Sequence, residues 1–353
     1  MPARPHPTPK SKAGGTARSA AVAKKKAGTA SGSPKSRVNN SLPVGYKTKL
    51  GRLLVGKVED ALEHNLRRYS GKVDLIFTSP PFPLNRKKKY GNLSGDDYVK
   101  WLSGLAPKLG QLLKPEGSIV VELGNAWEPG RPVMSLLSLK ALMEFLERGQ
   151  LNLCQEFVCH NPARLPSPAQ WVNVQRIRVK DSYTHVWWMA PSDFPKADNR
   201  RVLTGYSPAM KSLLERQSYN SGKRPSGFDI SKDAFLKDNG GAIPPNFLDF
   251  DEELGEVPES TLVMANTTSN DAYSAHCRKI GLTPHPARMP AGLPRFFIKL
   301  LTEPGDLVLD PFGGSNMTGA VAEELGRKWL TIEPEADYVL ASRGRFLDRI
   351  IEP

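Results

Sequence analysis

Cysteine is scarce in this sequence, with three in 353 residues: Cys154, Cys159 and Cys277. Three thiols cannot build a disulfide framework, and the step from Cys154 to Cys159 does not fit a C-x2-C zinc knuckle. A reducing compartment is therefore expected, and a metal centre is not. Long apolar runs are missing as well. No window approaches the roughly 18 consecutive apolar residues of a membrane span, and the N-terminus lacks the apolar stretch of a secretory signal. The expectation is a soluble intracellular protein with no membrane association. Acid is absent from the start of the chain: the first carboxylate is Glu59, and thirteen Lys or Arg precede it. The formal net charge is +13, yet beyond Val58 the remaining 36 basic residues face 36 acidic ones. The basic excess thus belongs to an N-terminal arm, and any basic patch on the neutral body must be argued locally.

What is present excludes a purely disordered chain. Hydrophobic residues make up 39% and include six Trp and thirteen Phe, enough for a sizeable core in one large or two smaller domains. The arm is different in kind. PKSKAGGTARSAAVAKKKAGTASGSPKSR has no periodic apolar face and reads as disordered in isolation. Three readings compete for it: a salt-sensitive attraction to nucleic acid, which leads, an inert extension, or an organelle transit peptide.

After Tyr46 the pattern becomes that of an α/β protein. Strands are expected at Leu53 to Val55, Val73 to Phe77 and Ser118 to Leu123, with helices at Val58 to Tyr69, Tyr98 to Leu113 and Ser135 to Arg148 between and after them. Two β-rich runs follow, Gln155 to His160 and Thr184 to Met189. They are joined by a Pro-rich loop that carries Arg176, Arg178 and Lys180. Residues 191 to 275 mix Pro, Gly, Asn, Ser and Asp with isolated aromatics and show no long periodic element, as in an insertion. Regular pattern resumes with a helix from Pro294 to Leu301, the strand Leu307 to Asp310, a helix from Thr318 to Leu325 and the strand Trp329 to Glu333. The expected division is a disordered arm (1–45), a first half (46–190), an inserted region (191–275) and a second half (276–353).

Two turns carry chemistry. In LVLDPFGGSNMTGAVAEELGRKWLTIE a strand, a glycine turn, a helix and a second strand ending in Glu333 succeed one another. In a doubly wound sheet that arrangement holds a ligand over the first strand, with Gly313, Gly314 and Gly319 allowing close backbone approach. Glu333 would accept hydrogen bonds from the paired hydroxyls of a ribose. The spacing matches neither G-x-G-x-x-G nor the Lys-bearing phosphate loop, so a nucleoside without phosphate fits better; a tight turn without a ligand is the competing reading. The second turn, Thr78-Ser79-Pro80-Pro81-Phe82-Pro83, follows the strand VDLIF. Its prolines donate no backbone hydrogen bonds, which leaves carbonyls near Ser79 and Pro80 as acceptors for an outside amine. Ser79 Oγ is a second acceptor, and the Phe82 ring offers a face to a flat base.

Ser-Pro-Pro-Phe after a strand, with DPFGGSNMTG far downstream, resembles the exocyclic-amino DNA methyltransferases that use S-adenosyl-L-methionine. The order, catalytic turn first and cofactor turn last with a variable region between, is similar to their beta group. PPFPLNRKKKYGNL, NPARLPSPAQWVN, RIRVKD, KDNGGAIPPN and HPARMPAGLPRFFIKLLTEPGD resemble its cytosine-N4 members. The likeness runs from about Leu50 to about Asp348 and leaves out the arm. It implies a doubly wound, Rossmann-like α/β sheet, circularly permuted, with residues 191–275 as a target-recognition insertion.

The resemblance further implies roles. Ser79, Pro80, Pro81 and Phe82 match the catalytic turn that grips the amine of a flipped base. Asp310, Phe312, Gly313, Gly314, Ser315 and Thr318 match the turn around the methionine moiety, and Glu333 the ribose acid. His285, Pro286 and Arg288, with Pro290 and Leu293, match the segment packed over the methionine end. Arg86, Lys87, Lys88 and Lys89 fall where the family meets DNA, and Arg176, Arg178, Lys223 and Arg224 are candidate base or phosphate contacts. Two departures stand out. The family's Gly-Asp beside the cofactor adenine is Gly56-Lys57 here, which moves the acid to Glu59 or Asp60. The pocket-wall aromatic before Asn-Pro is replaced by Cys159 or His160, which leaves Phe157 or His160 as substitutes.

The implied activity is methyl transfer from S-adenosyl-L-methionine to cytosine N4 in double-stranded DNA, in a restriction-modification setting or as a solitary methylase. Carbon-5 chemistry is disfavoured because no cysteine stands in a Pro-Cys context. Adenine-N6 or RNA-base methylation and an inactive DNA-binding module are the alternatives. Site, oligomeric state and any cognate restriction endonuclease stay open; a cytoplasmic, nucleoid-associated location is expected.

Overall fold

In the computed structural model, residues 41–82, 93, 95–162, 164–249 and 271–351 are described. The elements, in order, are β1 (Val44–Lys47), β2 (Gly51–Val55), α1 (Val58–His64), β3 (Val73–Thr78), α2 (Gly95–Gly110), β4 (Leu113–Gly124), α3 (Leu137–Gly149), β5 (Asn152–His160), β6 (Tyr183–Ala190), α4 (Pro208–Arg216), β7 (Gly222–Lys223), β8 (Asp229–Ile230), β9 (Phe247–Asp249), α5 (Ala272–Lys279), α6 (Gly292–Leu301), β10 (Leu307–Asp310), α7 (Met317–Glu324), β11 (Lys328–Glu333) and α8 (Ala336–Ser342).

The apolar runs of the sequence become the middle of one sheet, ordered β1-β2-β11-β10-β3-β4-β6-β5-β9. Strands β2, β11, β10, β3 and β4 run parallel to one another, and β1 lies antiparallel on the outer edge of β2. Strand β6 runs antiparallel between β4 and β5. Parallel strands are covered on both faces, which is why VDLIFT is buried at every position. On one face Ile76, Ile119 and Leu309 pack against Leu62 of α1, Leu102 and Leu109 of α2 and Phe145 of α3. On the other, Leu75, Phe77 and Val308 meet Phe296, Phe297 and Leu301 of α6 and Val321 of α7. The sheet is therefore doubly wound, as expected.

The winding creates the crevice. From β3 the chain crosses through α2 to β4; from β10 it crosses through α7 to β11 on the other side. β3 and β10 are neighbours, so their connections diverge at their carboxyl ends, which is where such sheets bind ligands. A buried carboxylate fixes the pairing at the opposite end: Asp74 accepts the Leu307 N–H at 2.9 Å and the Lys114 ammonium at 2.6 Å.

Several boundaries differ from the expectations. The helix from Val58 stops at His64 and resumes as a 3-10 turn at Arg67–Tyr69, because the break turns Leu66 fully into the core. Helix α2 ends at Gly110, and Leu113 already pairs with Val73; Lys114-Pro115-Glu116-Gly117 lies inside β4 at an irregular stretch of pairing rather than ahead of it. Within 191–249 there is regular structure that periodicity did not show. Helix α4 is capped by Ser207, whose hydroxyl accepts the Met210 N–H, and β9 joins the edge of the main sheet beside β5. Among the described residues no helix is long and apolar enough to cross a membrane.

Candidate active site

At the carboxyl end of β3 stand Ser79, Pro80, Pro81 and Phe82. The Phe82 ring lies against the end of β4, so close to Gly124 that a Cβ there would sit 2.6 Å from the ring edge. Two residues earlier on β4 is Glu122, an acid that follows the buried apolar run Ile119–Val121. Its carboxylate accepts the Thr184 hydroxyl of β6 at 3.0 Å and also bonds the Ser79 hydroxyl. Burial raises its proton affinity above the ordinary range, against the opposing pull of those bonds and the nearby Arg164 charge. Cys159, opposite Thr184 on β5, is pushed up as well, first by burial and then by Glu122. Its thiol stays protonated and is no nucleophile.

At the carboxyl end of β10 the chain turns through Asp310 to Ser315 into α7. Asp310 is buried, and burial raises its pKa. Its Oδ1 accepts the Phe312 N–H at 3.0 Å and the Thr78 hydroxyl at 2.8 Å. That last bond ties the two turns together. Gly314 adopts φ +50, a left-handed conformation costly for other residues, and the His285 ring sits over it. His285 is positioned by its N–H, which donates to the Tyr273 hydroxyl at 2.9 Å, and by edge contact with Tyr338. Glu333 ends β11 with each oxygen accepting one backbone N–H, Gly314 at 2.7 Å and Glu335 at 2.9 Å. Burial pushes its pKa up to about 7. Glu333 lines the cleft, where ribose hydroxyls would donate to its carboxylate.

Ser79 to Phe82, Asp310, Phe312 to Ser315, Thr318, Glu333, His285, Pro286 and Arg288 all line one cleft of about 770 Å³, within the usual range for a small-molecule site. An aromatic corner closes one end. Trp101 meets Phe312 edge-on and donates its indole N–H to Glu59 at 2.7 Å. Beside it the Tyr98 hydroxyl is buried without a hydrogen-bond partner among the described residues. An orphaned phenol there needs an acceptor such as a purine nitrogen. Acceptors for a ribose, aromatic faces for a purine and a glycine turn that tolerates close approach together fit S-adenosyl-L-methionine.

A family model described as DNA methylase (N6_N4_Mtase) matches residues 73–343. The chain belongs to the DNA methylase family. Type II methyltransferase M.PvuII of Proteus hauseri is 44% identical over 308 residues, covering 87% of this chain and 86% of the relative. Type II methyltransferase M.BglII of Bacillus subtilis is 22% identical over 311 residues, 85% of this chain and 70% of the relative. A solved structure of the PvuII DNA methyltransferase (cytosine-N4-specific) superposes with a TM-score of 0.67 at 38% identity, covering 87% of this chain and 90% of that one. The Rossmann-like fold and the beta-group resemblance both hold for this DNA methylase.

The geometry also redirects several residues. Of the two acids left open near the adenine, Glu59 lines the cleft and Asp60 is exposed outside it. Neither substitute for the pocket-wall aromatic is in the cleft: Phe157 packs on Phe296 and Phe297 in the core, and His160 bonds Asp249 at 2.8 Å beside Phe247. Tyr183, paired with His160 across β5 and β6, supplies a ring to the wall instead. Gly319 makes room for Asn316 and Trp329 rather than for a ligand, and Leu293 is core. Arg176 and Lys223 are exposed, Arg178 donates to the carbonyls of Pro132 and Ile177, and Arg224 lies over the Tyr219 ring; none of the four lines the cleft. Arg86, Lys87, Lys88 and Lys89 lie outside the described residues. Glu122, Asn161, Arg164, Tyr183 and Tyr98 line the cleft without having been expected there. Glu122 had a sequence signal as a lone acid inside SIVVEL, and Asn161 as the Asn-Pro that marks the pocket wall; Tyr98, Arg164 and Tyr183 had no assigned role.

Proposed function

We propose that this DNA methylase transfers the methyl group of S-adenosyl-L-methionine to N4 of cytosine in double-stranded DNA, on a base extruded from the helix. The observation that carries this is the Thr78–Asp310 bond, which places Ser79-Pro-Pro-Phe and the Asp310–Ser315 turn in one cleft. The cytosine-N4 specificity of the PvuII enzyme supports the choice of base. The Type II naming of both relatives supports a restriction-modification role with a nuclease as functional partner, acting on DNA in the cytoplasm at the nucleoid.

The residues divide the chemistry. Bound in the cleft, S-adenosyl-L-methionine supplies an electrophilic methyl group on a sulfonium. Phe82 stacks on the extruded ring, while Ser79 Oγ and the Pro80 carbonyl accept the amine hydrogens and turn the nitrogen lone pair toward the methyl carbon. The Asp310–Ser315 turn and Glu333 would hold the cofactor, whose sulfur would keep the C–S electron pair as its methyl group is given up to nitrogen. The surplus amine proton leaves through Ser79 toward Glu122, which burial makes a better proton acceptor. No covalent enzyme intermediate is required.

The test is methylation of unmodified genomic DNA by the purified protein with labelled S-adenosyl-L-methionine, followed by nucleoside mass spectrometry and single-molecule mapping. N4-methylcytosine at one short motif is expected. N6-methyladenine would overturn the assignment of the base, and DNA binding without modification would overturn the activity.

A further inference from the structure

Cytosine and adenine present the same two groups first: an exocyclic amine and, beside it, a ring nitrogen that accepts. They differ at the next position, where cytosine carries the O2 carbonyl and adenine a C–H. A site that selects cytosine therefore gains most from a fixed donor at O2, because that donor is left buried and unpaired when adenine enters.

Arg164 meets this requirement. It lines the cleft with Asn161, Tyr183 and Thr184, on the β5–β6 side of the sheet, which β3 and β4 separate from β10. Its Nη1 donates to the Tyr183 carbonyl at 2.9 Å, and its N–H closes a turn onto the Asn161 carbonyl at 3.2 Å. One edge of the guanidinium is thus anchored on β6, and the planar fork has further N–H groups to offer. Its charge acts on both Glu122 and Cys159, so it belongs to the base end of the cleft. A permanent cation is also better tolerated there than beside a sulfonium.

Resting on the cytosine reading above, we propose that Arg164 is a specificity-determining residue that donates to O2 of the extruded cytosine and discriminates it from adenine.

A substrate-by-residue cycle tests this. Wild type, Arg164→Ala and Arg164→Lys are compared on duplexes bearing the mapped motif. The target position holds either cytosine, its 2-aminopyridine C-nucleoside analogue, which keeps the amine and ring nitrogen but lacks O2, or adenine. Wild type is expected to lose about 10- to 100-fold in kcat/KM on the analogue, the range for a charge-assisted hydrogen bond. Arg164→Ala should lose a similar factor on cytosine, show little further loss on the analogue and narrow the cytosine-to-adenine ratio. Arg164→Lys should keep part of the discrimination. Unchanged cofactor binding by each variant shows that the fold and cofactor site persist. If the analogue costs wild type and Arg164→Ala equally, Arg164 serves a phosphate or the fold and the proposal falls. Absence of N4-methylcytosine with wild type on any DNA would instead sink the reading beneath it.

Discussion

Glu333 holds its carboxylate between two backbone N–H groups in a buried place, and its pKa of about 7 has a consequence for cofactor binding. A raised carboxyl pKa means that the folded protein takes up a proton as pH falls below about 7. The protonated group gives up acceptor capacity that ribose hydroxyls need. Affinity for S-adenosyl-L-methionine is therefore expected to fall by up to about tenfold per pH unit below about 7, measured by calorimetric titration between about pH 5.5 and 8; a flat profile would contradict the role of Glu333. Ser79 and Glu122 form a second unit. Ser79→Ala is expected to lower kcat by about 10²- to 10³-fold and Glu122→Gln by about 10- to 10²-fold, with the Kd for the cofactor unchanged in both. Near-normal turnover of Ser79→Ala would remove its hydroxyl from the mechanism. Ser79 could be read from its turn, whereas Arg164 and Tyr183 could not, because each reaches the cleft only through the pairing of β5 with β6.

At the scale of elements, β4 does more than complete the sheet. Its last residue, Gly124, faces Thr184 of β6 and leaves room for the Phe82 ring. An added Cβ at 2.6 Å from that ring must displace it, since the backbone at Gly124 is held in register against Thr184. Gly124→Ala should lower kcat/KM for DNA by about tenfold, the scale of one base–aromatic stack, while cofactor affinity stays normal. A fluorescent base analogue at the target position gives an independent readout of stacking, and unchanged fluorescence would refute the contact. The parallel strands were legible because burial on both faces writes continuous apolar runs. Strand β9 was not: its three residues carry no period, and only Leu248, buried beside Cys159, tells why it joins the sheet. Helix α4 was hidden for a related reason, as none of its residues is fully buried and no apolar stripe is needed.

For the molecule as a whole, charge and catalysis are written in different parts of the chain. The acid-free N-terminal residues carry the excess charge, and the neutral remainder carries the cleft. Deleting residues 1–40 is expected to weaken non-specific DNA binding and flatten its dependence on salt while leaving the methylated motif unchanged. Binding titrations at several salt concentrations, with methylome mapping of the truncated enzyme, check both halves; a changed motif would show that the arm reads sequence.

The sequence by itself determined the two turns, the strands that carry them and the order in which they occur, because a turn's chemistry and a buried strand's apolar run are local properties. Those local signals sufficed for the family, and they singled out Ser79, Asp310 and Glu333, which line one cleft. The tertiary structure decided what completes the site: Glu59 over Asp60, Tyr183 in place of Phe157 or His160, Glu122 beneath Ser79, and Arg164 on the β5–β6 side. These residues meet only because divergent crossovers from β3 and β10 open a crevice at their carboxyl ends and the antiparallel β5–β6 pair closes its other side. Thr78 and Asp310 touch across 232 positions of sequence, a distance over which no periodicity carries information.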